Sequence, residues 1–153
     1  MNPKITNWQG KRVWLLGASS GIGAALAKEL ARRGANVAIS ARKADKLLAL
    51  NIPDALILPC DATNVASLAG ARKQLLLAWL GVDLVIYLAG DYVPMRADSF
   101  DLAKAEKVFE VNFLAAMRLT AAVLPDLKAG GGIAFVASVA GYRGLPKALA
   151  YGP

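Results

Sequence analysis

Two rhythms of apolar and polar residues run through this chain. The short continuous apolar runs "RVWLLGA", "NVAIS", "DALILPC", "DLVIYLAG" and "GGIAFVAS" read as strands covered on both faces. Segments with helical spacing separate them. In "GIGAALAKELARRGA", Ile22, Leu26 and Leu30 recur every four residues and Gly34 supplies a stop. "KADKLLAL" predicts a short helix, and "VASLAGARKQLLLAWLG" a longer one closed by Gly81. "DLAKAEKVFEVNFLAAMRLTAAVLPDL" predicts a long, largely apolar helix. Strict strand–helix alternation implies an α/β fold, a doubly wound parallel sheet in a single domain over residues 1–153. Short right-handed crossovers order its strands 3-2-1-4-5. The chain carries no internal repeat and no low-complexity segment.

Composition narrows the picture. With 153 residues, 56% of them apolar and 19% charged, the chain suffices for one hydrophobic core, and its composition argues against disorder. The richest apolar run, "LLLAWLGVDLVIYLAG", carries Asp83 and falls short of a membrane span. No charged segment followed by an apolar one opens the chain as a secretion leader would. Cys60 is the only cysteine, so an internal disulfide is impossible and a reducing cytoplasm is the expected setting. Cys60 itself reads as a small buried side chain at a strand end. The chain has no histidine, which removes Ser-His-Asp and Cys-His nucleophile systems and leaves no zinc site. Acid–base chemistry must then use Asp, Glu, Lys, Tyr or Cys.

The net charge of +7 lies wholly in the first half: residues 1–82 hold eleven Lys and Arg against four acids, and residues 83–153 seven against seven. These cations occur at most in pairs, such as Arg32-Arg33 and Arg42-Lys43, without interleaved aromatics. They read as solvated helix faces and not as a nucleic-acid groove, with some left over for a phosphate-bearing small ligand. Neither a nucleic acid nor a membrane is an expected partner.

"LLGASSGIG" places Gly17, Gly21 and Gly23 where the first strand turns into the first helix, with Ser19, Ser20 and Ile22 beside them. A tight turn, close backbone approach and amides at a helix start are what a dinucleotide's pyrophosphate requires. NAD-specific folds usually place a carboxylate at the end of the second strand, about twenty residues on. Here that strand ends "ISARK", with Ser40, Arg42 and Lys43. A guanidinium binds a 2′-phosphate that a carboxylate would repel, so the expected cofactor is NADP(H), held by Arg42.

With these motifs in order, the chain resembles the short-chain dehydrogenase/reductase family. "GASSGIG" is similar to that family's cofactor loop. "CDAT" resembles its adenine-contacting turn, which assigns Asp61 and Ala62. "YLAG" resembles its N-N-A-G strand end, matched at Ala89 and Gly90, with Tyr87 and Leu88 in place of the two asparagines. "VNF" supplies Asn112, like the family's catalytic asparagine. Ser138 stands thirteen residues before Tyr151, the family's serine–tyrosine spacing. The family's motif lysine follows the tyrosine by four residues, whereas this chain stops after two. It therefore reads as the N-terminal portion of a Rossmann-like enzyme, its C-terminal strands missing and an apolar face of residues 102–124 lacking cover. The fragment alone is expected to be inactive and poorly folded.

The resemblance implies an oxidoreductase that interconverts a small-molecule carbonyl and an alcohol with NADP(H), as a homo-oligomer when full length. Tyr151 would be the proton donor and base, Ser138 would hydrogen-bond the substrate oxygen, and Asn112 would hold the long helix and a water. Two alternatives remain. One is a non-catalytic NADP-binding module; the other is an extended-type relative acting on nucleotide sugars, which the glycine spacing disfavours.

Overall fold

The computed structural model describes residues 5–152; the first four residues and Pro153 of the expected domain lie outside the described residues. Five strands form, namely β1 (Arg12–Leu16), β2 (Asn36–Ser40), β3 (Leu56–Ile57), β4 (Val82–Tyr87) and β5 (Leu127–Phe135). Between them run α1 (Gly21–Arg32), α2 (Ala44–Leu48), α3 (Val65–Trp79), α4 (Leu102–Phe109) and α5 (Ala115–Val123). The strands pair in parallel in the order β3-β2-β1-β4-β5, as the alternation of the sequence implies.

β1 shows why the strand runs are apolar throughout. Val13 and Leu15 point to one face with Val37 and Ile39, beneath Ala27 and Leu30 of α1 and Leu47 of α2. Trp14 and Leu16 point to the other with Ala38, Val85 and Tyr87, beneath Leu68 and Leu75 of α3 and Ala115, Leu119 and Val123 of α5. Successive strand side chains alternate in direction, so a sheet with helices on both faces needs an apolar residue at every step. Each large side chain fully buried in this way stabilises the fold by about 1.5–3 kcal/mol before entropy is counted.

Several elements differ from their sequence expectation. The inner face of α1 is Gly23, Ala27 and Leu30, while Ile22 is 69% exposed. Close packing of Gly23 on the preceding loop rotates the helix and turns Ile22 outward. α3 ends before the expected glycine: Leu80 takes the left-handed conformation (φ 55°) and donates its amide to the Leu76 carbonyl, and Gly81 follows at φ 140°. β3 has only two residues, and β5 begins at Leu127, ahead of the glycines.

The long apolar helix is not uniform. A π-turn over Glu110–Leu114 separates α4 from α5, and a 3₁₀ turn at Leu124–Asp126 closes the run at Pro125. The whole run, Leu102–Asp126, is long and apolar enough by length and composition to cross a membrane. In this fold α5 packs on the sheet, and Leu102, Phe109, Phe113, Met117 and Leu124 remain exposed outside it.

Candidate active site and cofactor cleft

The first strand ends at Leu16, and the chain then turns through four residues into α1. Gly17 has φ +92°, and a Cβ there would lie 2.5 Å from the Ala89 amide nitrogen. A Cβ on Gly23 would lie 2.3 Å from the Gly17 carbonyl oxygen. Neither contact is sterically feasible, so both positions need glycine for the loop to lie against the sheet end and the helix against the loop. The Gly17 and Ala18 amides donate to the Ser40 carbonyl at 2.9 and 3.1 Å, which ties the loop to β2. Gly21 differs: it has φ +53° with open space where a side chain would go. Ser20 is the N-cap of α1 but makes no side-chain cap bond, and the first turn holds no acid. The positive end of the helix dipole is therefore neutralised by no side chain of that turn.

This loop forms one wall of a cleft of about 940 Å³ at the C-terminal ends of the strands. Gly17, Ser19, Ser20, Ile22 and Gly23 line it, as do Ser40 and Arg42 after β2, Asp61 and Ala62 after β3, and Ala89 and Gly90 after β4. Eleven of the twelve residues expected to hold a cofactor thus converge on one opening. Gly21, the twelfth, shapes the turn without lining it. Ser40 is buried at the edge of this lining, and its hydroxyl oxygen accepts a hydrogen bond from the Trp14 indole at 2.8 Å.

The charges around the cleft are arranged by region. Arg42, Lys43 and Lys46 stand exposed at the β2 end, and Lys107 joins the lining from α4. Asp61 is held by Thr63, whose hydroxyl and amide donate to its Oδ1 at 2.7 and 3.0 Å. These bonds lower the Asp61 carboxyl below its usual range, with a smaller contribution from the Arg42 charge. Cys60 lies buried at the rim, and burial pushes its thiol up.

Asn112 sits in the π-turn, and its side chain is committed at both ends to the main chain of Asp91. The Asp91 amide donates to its Oδ1 at 2.7 Å, and its Nδ2 donates to the Asp91 carbonyl at 3.0 Å. Ser138 caps a short turn, its Oγ accepting from the Ala140 amide at 3.2 Å, which leaves its own proton free to be donated. Tyr151 rests half-buried on a small cluster of Met95, Ala105, Val108 and Ala150. Its ring meets that of Tyr92 edge to face, centroids 5.1 Å apart and planes at 76°. Asn112, Ser138 and Tyr151 all stand outside the lining of the cleft; Asn112 is bonded to its wall through Asp91.

Sequence spacing missed Lys46, Lys107, Glu110 and Thr63, all of which line the cleft. Lys46 had a usable signal, one helical turn beyond Arg42. Lys107 and Glu110 had none, because the long helix is brought over the cleft only by the fold. Tyr87 enters the sequence pattern merely as a replacement for asparagine. It is buried, and its hydroxyl donates to the Val111 carbonyl at 2.6 Å. A π-turn disturbs the regular carbonyl–amide ladder, and this bond satisfies a carbonyl within it. Burial, helped by the negative charge of Asp61, Cys60 and Glu110, pushes the phenol up to about 12.

Comparison with known proteins gives a consistent picture. The family model for short chain dehydrogenase matches residues 11–153. The human protein "Dehydrogenase/reductase SDR family member 7" is 31% identical over 165 residues, covering 94% of this chain and 49% of its own length. A "Ketoacyl reductase HetN" from Nostoc sp. is 32% identical over 149 residues, covering 92% of this chain and 52% of its own. The solved short-chain dehydrogenase/reductase from Serratia marcescens superposes with a TM-score of 0.89 at 26% identity, over 95% of this chain and 63% of that one. The chain spans about half the length of the curated relatives it matches.

Proposed function

The chain belongs to the short-chain dehydrogenase family, and we propose that it binds NADP(H) and serves an oxidoreductase that interconverts a small-molecule carbonyl and its alcohol, with Tyr151 as the acid–base group. The family uses nicotinamide cofactors, NAD or NADP. The observation that carries the preference for NADP(H) is Arg42 and Lys43 just after β2, where an NAD-specific fold carries a carboxylate, joined in the cleft lining by Lys46 of α2. These cations would hold a 2′-phosphate, the guanidinium of Arg42 being able to bind it in two-pronged fashion.

The residues present fit such a cofactor. Gly17 and Gly23 let the loop lie against the sheet end and α1 against the loop, and the start of α1 offers amides to a pyrophosphate. When bound, the cofactor supplies hydride to a carbonyl carbon or accepts it from an alcohol.

The chain's own residues manage the proton. The Tyr151 hydroxyl would protonate the carbonyl oxygen in reduction and take the proton back in oxidation. The Ser138 hydroxyl, with its proton free, would donate a hydrogen bond to the same oxygen as negative charge develops there. Asn112 has both side-chain groups engaged by Asp91, so its part is to hold that loop.

Fluorescence titration of the full chain with NADPH and NADH tests the cofactor preference. NADPH is expected to bind at least about tenfold more tightly, corresponding to about 1.4 kcal/mol, and Arg42→Ala should remove most of the difference. Equal affinities for the two cofactors in the unsubstituted chain would refute the NADP(H) assignment.

A further inference from the structure

We propose that Tyr92 is a positioning residue for Tyr151, anchored through Asp91 by the side chain of Asn112; this rests on reading Tyr151 as the acid–base group. The contacts form a continuous chain. Asn112 grips Asp91 at its amide and its carbonyl, at 2.7 and 3.0 Å, so the main chain leaving β4 is pinned on both sides of that residue. The Asp91 carboxylate then accepts the Tyr92 amide at 3.0 Å, which sets where the Tyr92 ring begins. That ring stands at 76° to the Tyr151 ring with centroids 5.1 Å apart, within the range of a favourable edge-to-face pair.

A second contact holds the Tyr151 backbone to the same loop. The Met95 amide donates to the Lys147 carbonyl at 2.8 Å, and Met95 and Ala148 form a parallel bridge. The Tyr151 amide in turn donates to the Ala148 carbonyl at 3.1 Å. The loop after β4 therefore fixes Tyr151 twice, at its backbone through Met95 and at its ring through Tyr92. Tyr92 is 49% exposed and is not part of a buried core cluster. Its ring pairs with that of Tyr151. A phenol that must meet a substrate oxygen loses rate steeply when displaced by about 1 Å, so a residue that orients its ring acts on turnover more than on binding.

The test compares Tyr92→Phe, Tyr92→Leu and Tyr151→Phe in the full chain as its source makes it. Phe keeps the ring pair; Leu keeps apolar bulk without an aromatic ring. Tyrosine-labelled NMR gives the first readout, with the Tyr151 signals assigned by their loss in Tyr151→Phe. The Tyr151 ring protons should keep their shifts in Tyr92→Phe and move in Tyr92→Leu, where the neighbouring ring current is gone. NADPH-dependent reduction of phenanthrenequinone, used as a general carbonyl probe, gives the second. Tyr92→Leu should lower kcat at least about tenfold with KM for NADPH within twofold, and Tyr92→Phe should stay within twofold of the parent chain.

Unmoved Tyr151 shifts in Tyr92→Leu would overturn the proposal, as would equal kinetic effects of Leu and Phe. An active Tyr151→Phe would refute the acid–base reading instead. An inactive Tyr151→Phe beside an unimpaired Tyr92→Leu would refute only the positioning role of Tyr92. If the parent chain does not reduce the probe, that result counts against the carbonyl-reductase reading, and the NMR comparison still decides whether the ring contact exists.

Discussion

The glycines at the junction of β1 and α1 do different work, and only their surroundings distinguish them. Gly23 has the Gly17 carbonyl oxygen 2.3 Å from its Cβ position, whereas Gly21 has open space and a positive φ. Gly21→Ala should therefore cost about 1 kcal/mol, the penalty of a left-handed non-glycine residue. Gly23→Ala must move backbone, and should cost at least about 2 kcal/mol while weakening NADPH binding more than about tenfold. Urea unfolding of the two variants checks this ordering; a Gly23→Ala no worse than Gly21→Ala would contradict it. Tyr87 makes a similar point. Its identity departs from the family's asparagine, yet the buried side chain has a hydrogen-bond partner for its hydroxyl in the Val111 carbonyl. The replacement changes the bond partner without leaving a polar group unpaired.

At the scale of elements, helix ends and the π-turn depart most from the sequence pattern. The apolar spacing of α3 says where it runs, but Leu80 adopts the left-handed conformation one residue before the glycine that seemed designed for it. Leu80 is 81% exposed, so its side chain gains little from burial there. Leu80→Gly should relieve the backbone strain and stabilise the protein by about 1 kcal/mol, raising Tm by a few degrees, about 2–4 °C. A calorimetric scan showing a lower Tm would mean that the exposed leucine has a partner. The π-turn is the other case. Residues 102–124 carry the composition of one continuous helix, and the extra residue in the ladder became visible only from the placement of Val111 and Asn112 against Tyr87 and Asp91.

Across the whole molecule, the sheet is tied together at the end opposite the cleft by a charge pair far apart in sequence. Arg12 at the start of β1 donates to Asp83 from its main-chain amide and its guanidinium Nε, both at 2.9 Å. Burial pushes the Asp83 carboxyl up, but the bonds and charge of Arg12 outweigh it and leave the carboxyl below its usual range. The sign follows directly. A carboxyl lowered in the folded state contributes stability above its unfolded value, and that contribution is lost as pH falls through the lower folded value. Asp83→Asn should destabilise the protein by about 1–3 kcal/mol at pH 7, with the gap from the parent narrowing as pH falls below about 4. Chemical denaturation at pH 7 and pH 3 checks this, and a gap that stays constant would assign the loss to packing alone.

The sequence by itself determined the fold class, the strand order and the residues that gather along the cleft, because each follows from local rules. Strands buried on both faces must be apolar at every position, and a phosphate loop needs its glycines at the strand–helix junction. Both requirements appear as short patterns along the chain, and the twelve expected cofactor residues, Gly21 as a turn residue included, fall at the sheet's C-terminal edge. Only the tertiary structure decided which neighbours the candidate side chains meet. Ser40 accepts a hydrogen bond from Trp14, Asn112 is engaged at both ends by Asp91, and Ile22 is exposed at the cleft while Gly23 packs inward. It also decided that Lys107 joins the cleft and that Tyr92 meets Tyr151. The physical reason is that hydrogen-bond partners and ring contacts join residues far apart in the chain, and local spacing carries no information about which distant group will arrive.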